Sequence, residues 1–418
     1  MSRLQHVLTR LSPRDRIALG AVLSLVLVVA AATLVPRGGA SEDGAVRPAT
    51  DQSGPTYVAR DGAPAPGRVS VTDRAEIERV LADGPPTLSL RRPAAELARD
   101  LARCATFEGQ QYCLGVGWTD ADAQDVQAEA AAPTLQNGRA LSVETTGDLS
   151  TADLLAQRAA LPADERLADE RAELEAAAAS VSKVVLLRHQ LLGEPLPTGF
   201  LDRHPEARAP ATSATAGTSA REAADKGIKD YPRRSTVLHW KHVRAQRTTY
   251  WCGPTTLQAI AWGWQDKRRT QQHWADRLGT TTSGSSITEM VRVVNDATGY
   301  DQESYAGKYI VLDISDWSFR QWTLLQMRHI EDYRAPVVLH PILLKRFYPY
   351  LDDDASGHFQ VGRGYDKAGD KPTRLGYFEP WNQQRFDPSE PYISRVQWRN
   401  AYQSYRANLA HPHRNIGV

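Results

Sequence analysis

One cysteine lies where a helix is predicted to begin, and this placement points to nucleophilic chemistry. Pro254 follows Cys252 by two residues and suits a first helical turn, where its missing N–H is no loss. Apolar residues then recur at helical spacing, which predicts one buried face, at Leu257, Ile260, Ala261 and Trp264. The free N–H groups and the dipole of a helix N-terminus stabilise a thiolate, so we expect Cys252 to have a lowered pKa and to be reactive.

A histidine and an acid follow on two predicted strands. The stretch 357–366, GHFQVGRGYD, alternates like a strand, and the stretch 375–382 could pair with it as a hairpin. His358 and Glu379 would then lie together. A thiol nucleophile needs a histidine base, a group that orients the base and an oxyanion donor. The order Cys, His, acid fits this requirement, with Asp366 and Asn382 as the nearest alternatives for the orienting group.

These residues, together with Gln246 six positions before Cys252, resemble the C39-like branch of the papain-like cysteine peptidases. The shared pattern is a Gln upstream of Cys-Gly-Pro, a later Gly-His-aromatic strand ending in Gly-Tyr-Asp, and a closing acid-Pro-Trp. It extends roughly from Leu238 to Trp398. The chain departs from the pattern at Glu379, where the family usually has Asp. The resemblance implies an α+β fold, in which a helical half carries the nucleophile at a helix N-terminus and an antiparallel sheet carries the histidine and the acid.

The resemblance also implies roles for four residues. Cys252 would attack the scissile carbonyl as a thiolate paired with His358, which would then protonate the leaving amine. Glu379 would orient the imidazole, and the Gln246 side chain with the Cys252 backbone N–H would stabilise the oxyanion. No metal or organic cofactor is required, and the partner would be a peptide or protein substrate.

Other functions remain open on the same residues. The cysteine and histidine could serve a cell-wall amidase or transpeptidase, or a transglutaminase-like acyl transfer. The domain could also be a catalytically inactive binding module, although such a module has no need of Gln246, Cys252 and His358 together. A phosphate-binding Gly-x-x-x-x-Gly-Lys-Ser/Thr loop is absent from the sequence, so ATP-driven transport is not predicted.

Composition limits the remaining possibilities. A chain of 418 residues is long enough for two or three domains. Its 50 Lys and Arg residues balance 49 Asp and Glu residues, which gives no reason to expect a nucleic-acid partner.

The N-terminal segment, residues 1–40, predicts export. Four arginines precede an apolar run without charge from Ile17 to Val35, which is typical of a signal peptide or a membrane anchor. Cleavage after Ala40 and retention as an anchor both remain open. Either outcome places the rest of the chain outside the cytoplasm, as a secreted or cell-surface protein. Residues 41–68, rich in Gly, Pro, Ala, Asp and Ser, are predicted to be a disordered spacer.

A small, mostly helical domain is predicted over residues 69–200. It includes short helices near residues 75–81 and 94–102, and two longer helices interrupted near Pro162. Two cysteines as close in sequence as Cys104 and Cys113 most often form a disulfide in an exported protein. No further Cys or His lies nearby to complete a metal site. That leaves Cys252 as the unpaired thiol. Residues 201–235 read as a linker, and 236–418 as the catalytic domain.

Three further elements are predicted in the C-terminal domain. A capping box at Ser286 and Glu289 should start a helix, and the apolar run between Pro336 and Pro341 should form a buried strand. The stretch 396–409 should form an amphipathic outer helix. The other histidines, His340 and His411 among them, make no metal-ligand spacing and are expected to have surface or structural roles.

Overall fold

The computed structural model describes residues 69–132, 135–136, 139–140, 145–207, 226–298, 308–351, 353–368, 371–381, 394–396, 398–408, 411 and 414–418. All of them belong to one compact unit, Val46–Val418. The predicted signal or anchor segment 1–40 and the spacer 41–68 lie outside these ranges. Within the described ranges, no helix combines the length and the apolar character that crossing a bilayer demands.

The fold is mixed α+β. Its helices are α1 (Val71–Ala82), α2 (Ala94–Leu101), α3 (Ala123–Ala131), α4 (Thr151–Ala160), α5 (Ala163–Leu192), α6 (Phe200–Arg203), α7 (Cys252–Gln265), α8 (Gln271–Leu278), α9 (Ile287–Ala297), α10 (Phe319–Met327) and α11 (Trp398–Ala407). A π-helical turn, Arg328–Asp332, continues α10. Ser70 caps α1, because the Ser70 hydroxyl accepts from the Asp73 N–H.

The strands are β1 (Cys104–Phe107), β2 (Gln110–Cys113), β3 (Gly117–Thr119), β4 (Leu135–Gln136), β5 (Arg139–Ala140), β6 (Arg234–Thr236), β7 (Val311–Asp313), β8 (Val337–Leu339), β9 (Gln360–Ala368), β10 (Lys371–Phe378), β11 (Ser394–Val396) and β12 (Asn415–Gly417). The main sheet has the order β1-β2-β3-β7-β12-β8-β9-β10-β11, with β6 on β9. The strands β8 to β11 pair antiparallel, and β9 and β10 form the predicted hairpin.

The N-terminal region contributes three strands to this same sheet. Trp118 in β3 pairs in parallel with Leu312 in β7, so β1 to β3 extend the sheet formed by the C-terminal region. One hydrophobic core also takes residues from both regions, for example Trp118 and Val184 with Trp322 and Val361. The separate small domain over 69–200 and the linker over 201–235 stay predictions. The described residues of the N-terminal region nevertheless share a sheet and a core with the C-terminal region.

Several local predictions are confirmed. The disulfide joins Cys104 and Cys113, which lie opposite each other in β1 and β2. Helices α4 and α5 are separated at Pro162, as the missing proline N–H predicts. Ser286 caps α9 by accepting from the Glu289 N–H at 3.2 Å, and the run between Pro336 and Pro341 contains β8.

Candidate active site

Cys252 is the first residue of α7, as the sequence predicts. It is the one free cysteine among the described residues and is fully buried. The helix is tied to the base of β9, because the Thr256 hydroxyl donates to the Phe359 carbonyl at 3.2 Å. The backbone of Phe359 also hydrogen-bonds the Cys252 sulfur. The thiol therefore lies beside the backbone of the residue that follows His358.

The expected lowering of the Cys252 pKa is wrong for this structure. Burial of the thiol raises its pKa well above the ordinary value, and the negative charge of Asp148 adds to the effect, with a smaller contribution from Glu379. Backbone hydrogen bonds from Phe359 and Gly253 favour the thiolate but do not compensate. Because its pKa is raised, the resting thiol is neutral. The helix N-terminus can be predicted from the sequence, but the burial of the thiol cannot.

The β9–β10 hairpin brings His358 and Glu379 together. His358 lies just before β9 and Glu379 directly after β10, so the antiparallel pairing places them at the same end of the hairpin. The Nε2–H of His358 donates to Oε1 of Glu379 at 2.6 Å, and both side chains are fully buried. The Glu379 carboxylate also accepts from the Trp381 N–H at 2.8 Å and from Gln360 Nε2 at 2.6 Å. The acid is thus fixed by several donors besides the imidazole.

This contact determines where the imidazole proton lies. A carboxylate only accepts, so Nε2 of His358 carries a proton. Nδ1 of His358 is buried and has no hydrogen-bond partner among the described residues. The expected thiolate–imidazolium pair between Cys252 and His358 is therefore not formed here, which agrees with a neutral thiol.

Asp366 and Asn382 are the alternative candidates for the group that orients His358. Asp366 lies along β9 and forms an ion pair with Arg234 at 2.5 Å, so its carboxylate serves another contact. Asn382 lies outside the described residues. Of the two candidates that the structure describes, Glu379 is the one whose side chain is hydrogen-bonded to His358.

Gln246 is buried and directly precedes the turn that leads into α7. Its backbone N–H donates to the Pro380 carbonyl at 2.8 Å, which ties it to the chain directly after Glu379. Its Nε2 donates to the carbonyls of Thr248 at 2.9 Å and Thr249 at 3.0 Å. These contacts hold the turn that leads into α7.

A third acceptor lies in front of both expected oxyanion donors. The Cys252 backbone N–H donates to the Thr146 carbonyl oxygen at 3.2 Å, and Gln246 Nε2 approaches the same oxygen at 3.3 Å. The two groups expected to hold an oxyanion therefore converge on one oxygen atom. That oxygen belongs to the N-terminal region, and nothing local in the sequence predicts it.

A buried cluster formed by Asp148, His340 and His411 is not predicted by the sequence. The Nε2 atoms of His340 and His411 donate to the two carboxylate oxygens of Asp148 at 2.6 and 2.7 Å. Among the described residues this is the one group of three whose side chains could hold a metal ion, with ligand atoms within 4.8 Å of one another. Both carboxylate oxygens are already taken by imidazoles, and the residues lie too far apart in sequence for a recognisable motif. We assign no metal to the cluster.

Comparison with known proteins supports the family resemblance. The model of the Peptidase_C39 like family matches residues 240–408, which include Gln246, Cys252, His358 and Glu379 and amount to less than half of the chain. No curated protein and no solved structure matches the chain. Residues 240–408, the C-terminal region of this chain, are thus similar to the Peptidase_C39 like family.

Proposed function

We propose that this protein is a thiol hydrolase that cleaves peptide bonds, with Cys252 as the nucleophile, His358 as the base and Glu379 as the orienting acid. The carrying observation is the buried His358–Glu379 contact, which leaves Nδ1 of His358 without a hydrogen-bond partner among the described residues, while the backbone of the next residue, Phe359, hydrogen-bonds the Cys252 sulfur. A binding module gains nothing from burying this arrangement, because buried ionisable groups are costly unless they are fully paired.

The reaction would run in two steps. Nδ1 of His358 takes the proton of the Cys252 thiol while sulfur attacks the carbonyl carbon, and the same proton then passes to the leaving amine as the C–N bond breaks. Water next attacks the thioester, with His358 again as the base, and releases the new carboxylate and the thiol. The oxyanion would be held by the Cys252 backbone N–H and Gln246 Nε2, which already point at one oxygen.

We also propose that the protein acts outside the cytoplasm, on a peptide, a protein or a cell-wall peptide. The Cys104–Cys113 disulfide supports this proposal, since disulfides persist in oxidising compartments. The N-terminal apolar run would be either cleaved or retained as an anchor.

The proposal is tested by incubating the full-length protein, its Cys252→Ala variant and its Asp366→Asn variant with a peptide library and a peptidoglycan digest. We expect new amine and carboxylate termini with the parent and with Asp366→Asn, and none with Cys252→Ala. Products that persist in the Cys252→Ala variant would remove the thiol from the mechanism.

A further inference from the structure

The segment Thr145–Leu149 lies in the candidate active site, although it precedes the family match by about a hundred residues. It leads into α4, which is capped by Ser150. Thr146 is fully buried, Leu149 is 3% exposed, and the side chain of Asp148 is inaccessible to solvent. Burial of this kind is unusual for an irregular segment, because its backbone groups then need partners.

Thr146 finds those partners on both sides of the site. On the helix side, its carbonyl accepts from Cys252 and Gln246, as described above. On the sheet side, its N–H donates to the Ser356 hydroxyl at 3.0 Å and its own hydroxyl donates to the Gly357 carbonyl at 2.6 Å. Thr146 thus bridges the nucleophile's helix and the residue directly before His358.

The next three residues bind the loop in front of α9 as a short parallel bridge. The Ser285 N–H donates to the Gly147 carbonyl and the Leu149 N–H donates to the Ser285 carbonyl, each at 2.9 Å. This is the main-chain pairing by which a cleft binds an extended peptide.

Gly147 fits this position only because it lacks a side chain. Its φ of +103° lies in a region that other residues rarely adopt, and a Cβ there would lie 2.3 Å from the carbonyl carbon and oxygen of Tyr250. Gly357 faces the same segment, and a Cβ there would lie 1.9 Å from Oδ2 of Asp148. The segment and the site are closely complementary.

Asp148 anchors the segment with a fully buried charge. Its carboxylate accepts from the imidazoles of His340 and His411. Nδ1 of His340 is in turn hydrogen-bonded to Oδ1 of Asn415 at 2.7 Å, which links the anchor to β12. Burial alone would raise the pKa of Asp148, but the charges and hydrogen bonds of His340 and His411 lower it below its ordinary value. The carboxylate therefore stays ionised, and it stabilises the closed segment across the neutral pH range.

We propose that Thr145–Leu149 is a built-in occluding segment that closes the candidate active site, with the Thr146 carbonyl in the place of the substrate oxyanion and Asp148 as the anchor. A substrate carbonyl reaches the Cys252 and Gln246 donors only after this segment leaves. Its departure also removes the negative charge of Asp148 from the thiol and admits water, and both changes favour the thiolate. This inference rests on the proposed function, but its test does not require the protein to cleave a substrate.

The test is the rate at which iodoacetamide alkylates Cys252 in the full-length protein, followed by intact mass. With the disulfide closed, Cys252 is the one free thiol of the three cysteines, so one added group reports on it. We expect the parent to react at least about 100-fold more slowly than glutathione, because its thiol is buried and neutral.

A matched pair of glycine variants opens the segment or leaves it closed. Gly147→Ala and Gly193→Ala both place alanine at positive φ, but a Cβ at Gly193 meets nothing within 4 Å. We expect Gly147→Ala to accelerate alkylation at least about tenfold and Gly193→Ala to change it less than twofold. The thermal midpoint of each variant checks that both have folded.

A second pair keeps the test decisive if Gly147→Ala does not fold. Asp148→Asn removes the anchoring charge, and Asp164→Asn makes the same change at an exposed position in the first turn of α5. We expect faster alkylation only in Asp148→Asn. In addition, the peptide TTGDLS, corresponding to residues 145–150, should slow the alkylation of Gly147→Ala again, and the same peptide with alanine for glycine should not.

Equal alkylation rates in the parent and in both site variants would overturn the proposal, even if peptidase activity is found. Cleavage of the parent between Thr146 and Gly147 would also overturn it, since the segment would then be a substrate. Faster alkylation without any hydrolysis would instead support the occluding segment and contradict the proposed peptidase.

Discussion

Replacing Glu379 with glutamine tests how the imidazole of His358 is held. The carboxylate accepts from four donors: Oε1 from His358 Nε2 and the Trp381 N–H, and Oε2 from Gln360 Nε2 and the Tyr350 hydroxyl. The Trp381 backbone N–H can only donate, so it should fix the amide oxygen of the variant at the Oε1 position, where that oxygen still accepts from His358 Nε2. Gln360 can turn its amide and Tyr350 can rotate its hydroxyl to accept from the new NH₂ group. The correct tautomer of His358 is thereby preserved.

In Glu379→Gln, activity is expected to fall because the negative charge is lost, and not because the imidazole is misoriented. A hydrogen bond to a charged group contributes about 1.5–3 kcal/mol and a neutral one about 0.5–1.5 kcal/mol, so the imidazolium loses about 1–1.5 kcal/mol of stabilisation. That difference corresponds to roughly a tenfold lower kcat/KM. His358→Ala, which removes the base, should cost on the order of 10⁵-fold or more. Glu379→Ala is a poor probe because it leaves four buried donors unpaired.

The assay is kcat/KM on a peptide that the parent cleaves, with thermal midpoints as a check on folding. Asp366→Asn is the matched control, a carboxylate on the same hairpin that is paired with Arg234, and it should stay within threefold of the parent. A loss in Glu379→Gln as large as in His358→Ala would refute the argument that Trp381 fixes the amide oxygen. A rate within twofold of the parent would remove Glu379 from the mechanism.

Three further predictions follow from other contacts. Gln246→Ala should lower kcat about 10²- to 10³-fold with little change in KM, and should also destabilise the turn before α7; a kcat within threefold of the parent contradicts the oxyanion role. Replacing Cys104 and Cys113 with serine should reduce the free energy of unfolding by about 2–3 kcal/mol, measured by urea denaturation, because the unfolded chain loses a covalent loop; an unchanged midpoint contradicts this. Burial lowers the pKa of His411, although the negative charge of Asp148 acts in the opposite direction. His411 therefore binds a proton more readily in the unfolded chain than in the folded one. The free energy of unfolding should fall as pH drops below about 6.5, and His411→Asn should flatten this dependence; parallel pH profiles would exclude His411 as its source.

The local parts of the candidate site could be predicted from the sequence. A proline two residues after Cys252 and the helical spacing beyond it predict where α7 begins, and two alternating stretches predict the β9–β10 hairpin. Because hairpin pairing brings both ends of adjacent strands together, the contact between His358 and Glu379 also follows from sequence.

The remaining features depend on contacts between distant parts of the chain. Asp148 lies 192 residues from His340 and 263 from His411, and no periodicity connects them. The raised pKa of the Cys252 thiol has the same origin, since helix position is local whereas burial is not. The pairing of Trp118 with Leu312 likewise joins regions that composition suggests are separate domains.

The central claim, that Cys252 hydrolyses peptide bonds, is tested most directly by isotope incorporation. Gly147→Ala, with its site opened, is incubated in H₂¹⁸O with the peptide library and compared with Gly147→Ala carrying Cys252→Ala. Hydrolysis of a thioester by water predicts cleaved peptides with ¹⁸O in the new carboxylate, and none in the double variant. Transfer of the acyl group to another amine without ¹⁸O, or the same products without the Cys252 thiol, would contradict the account.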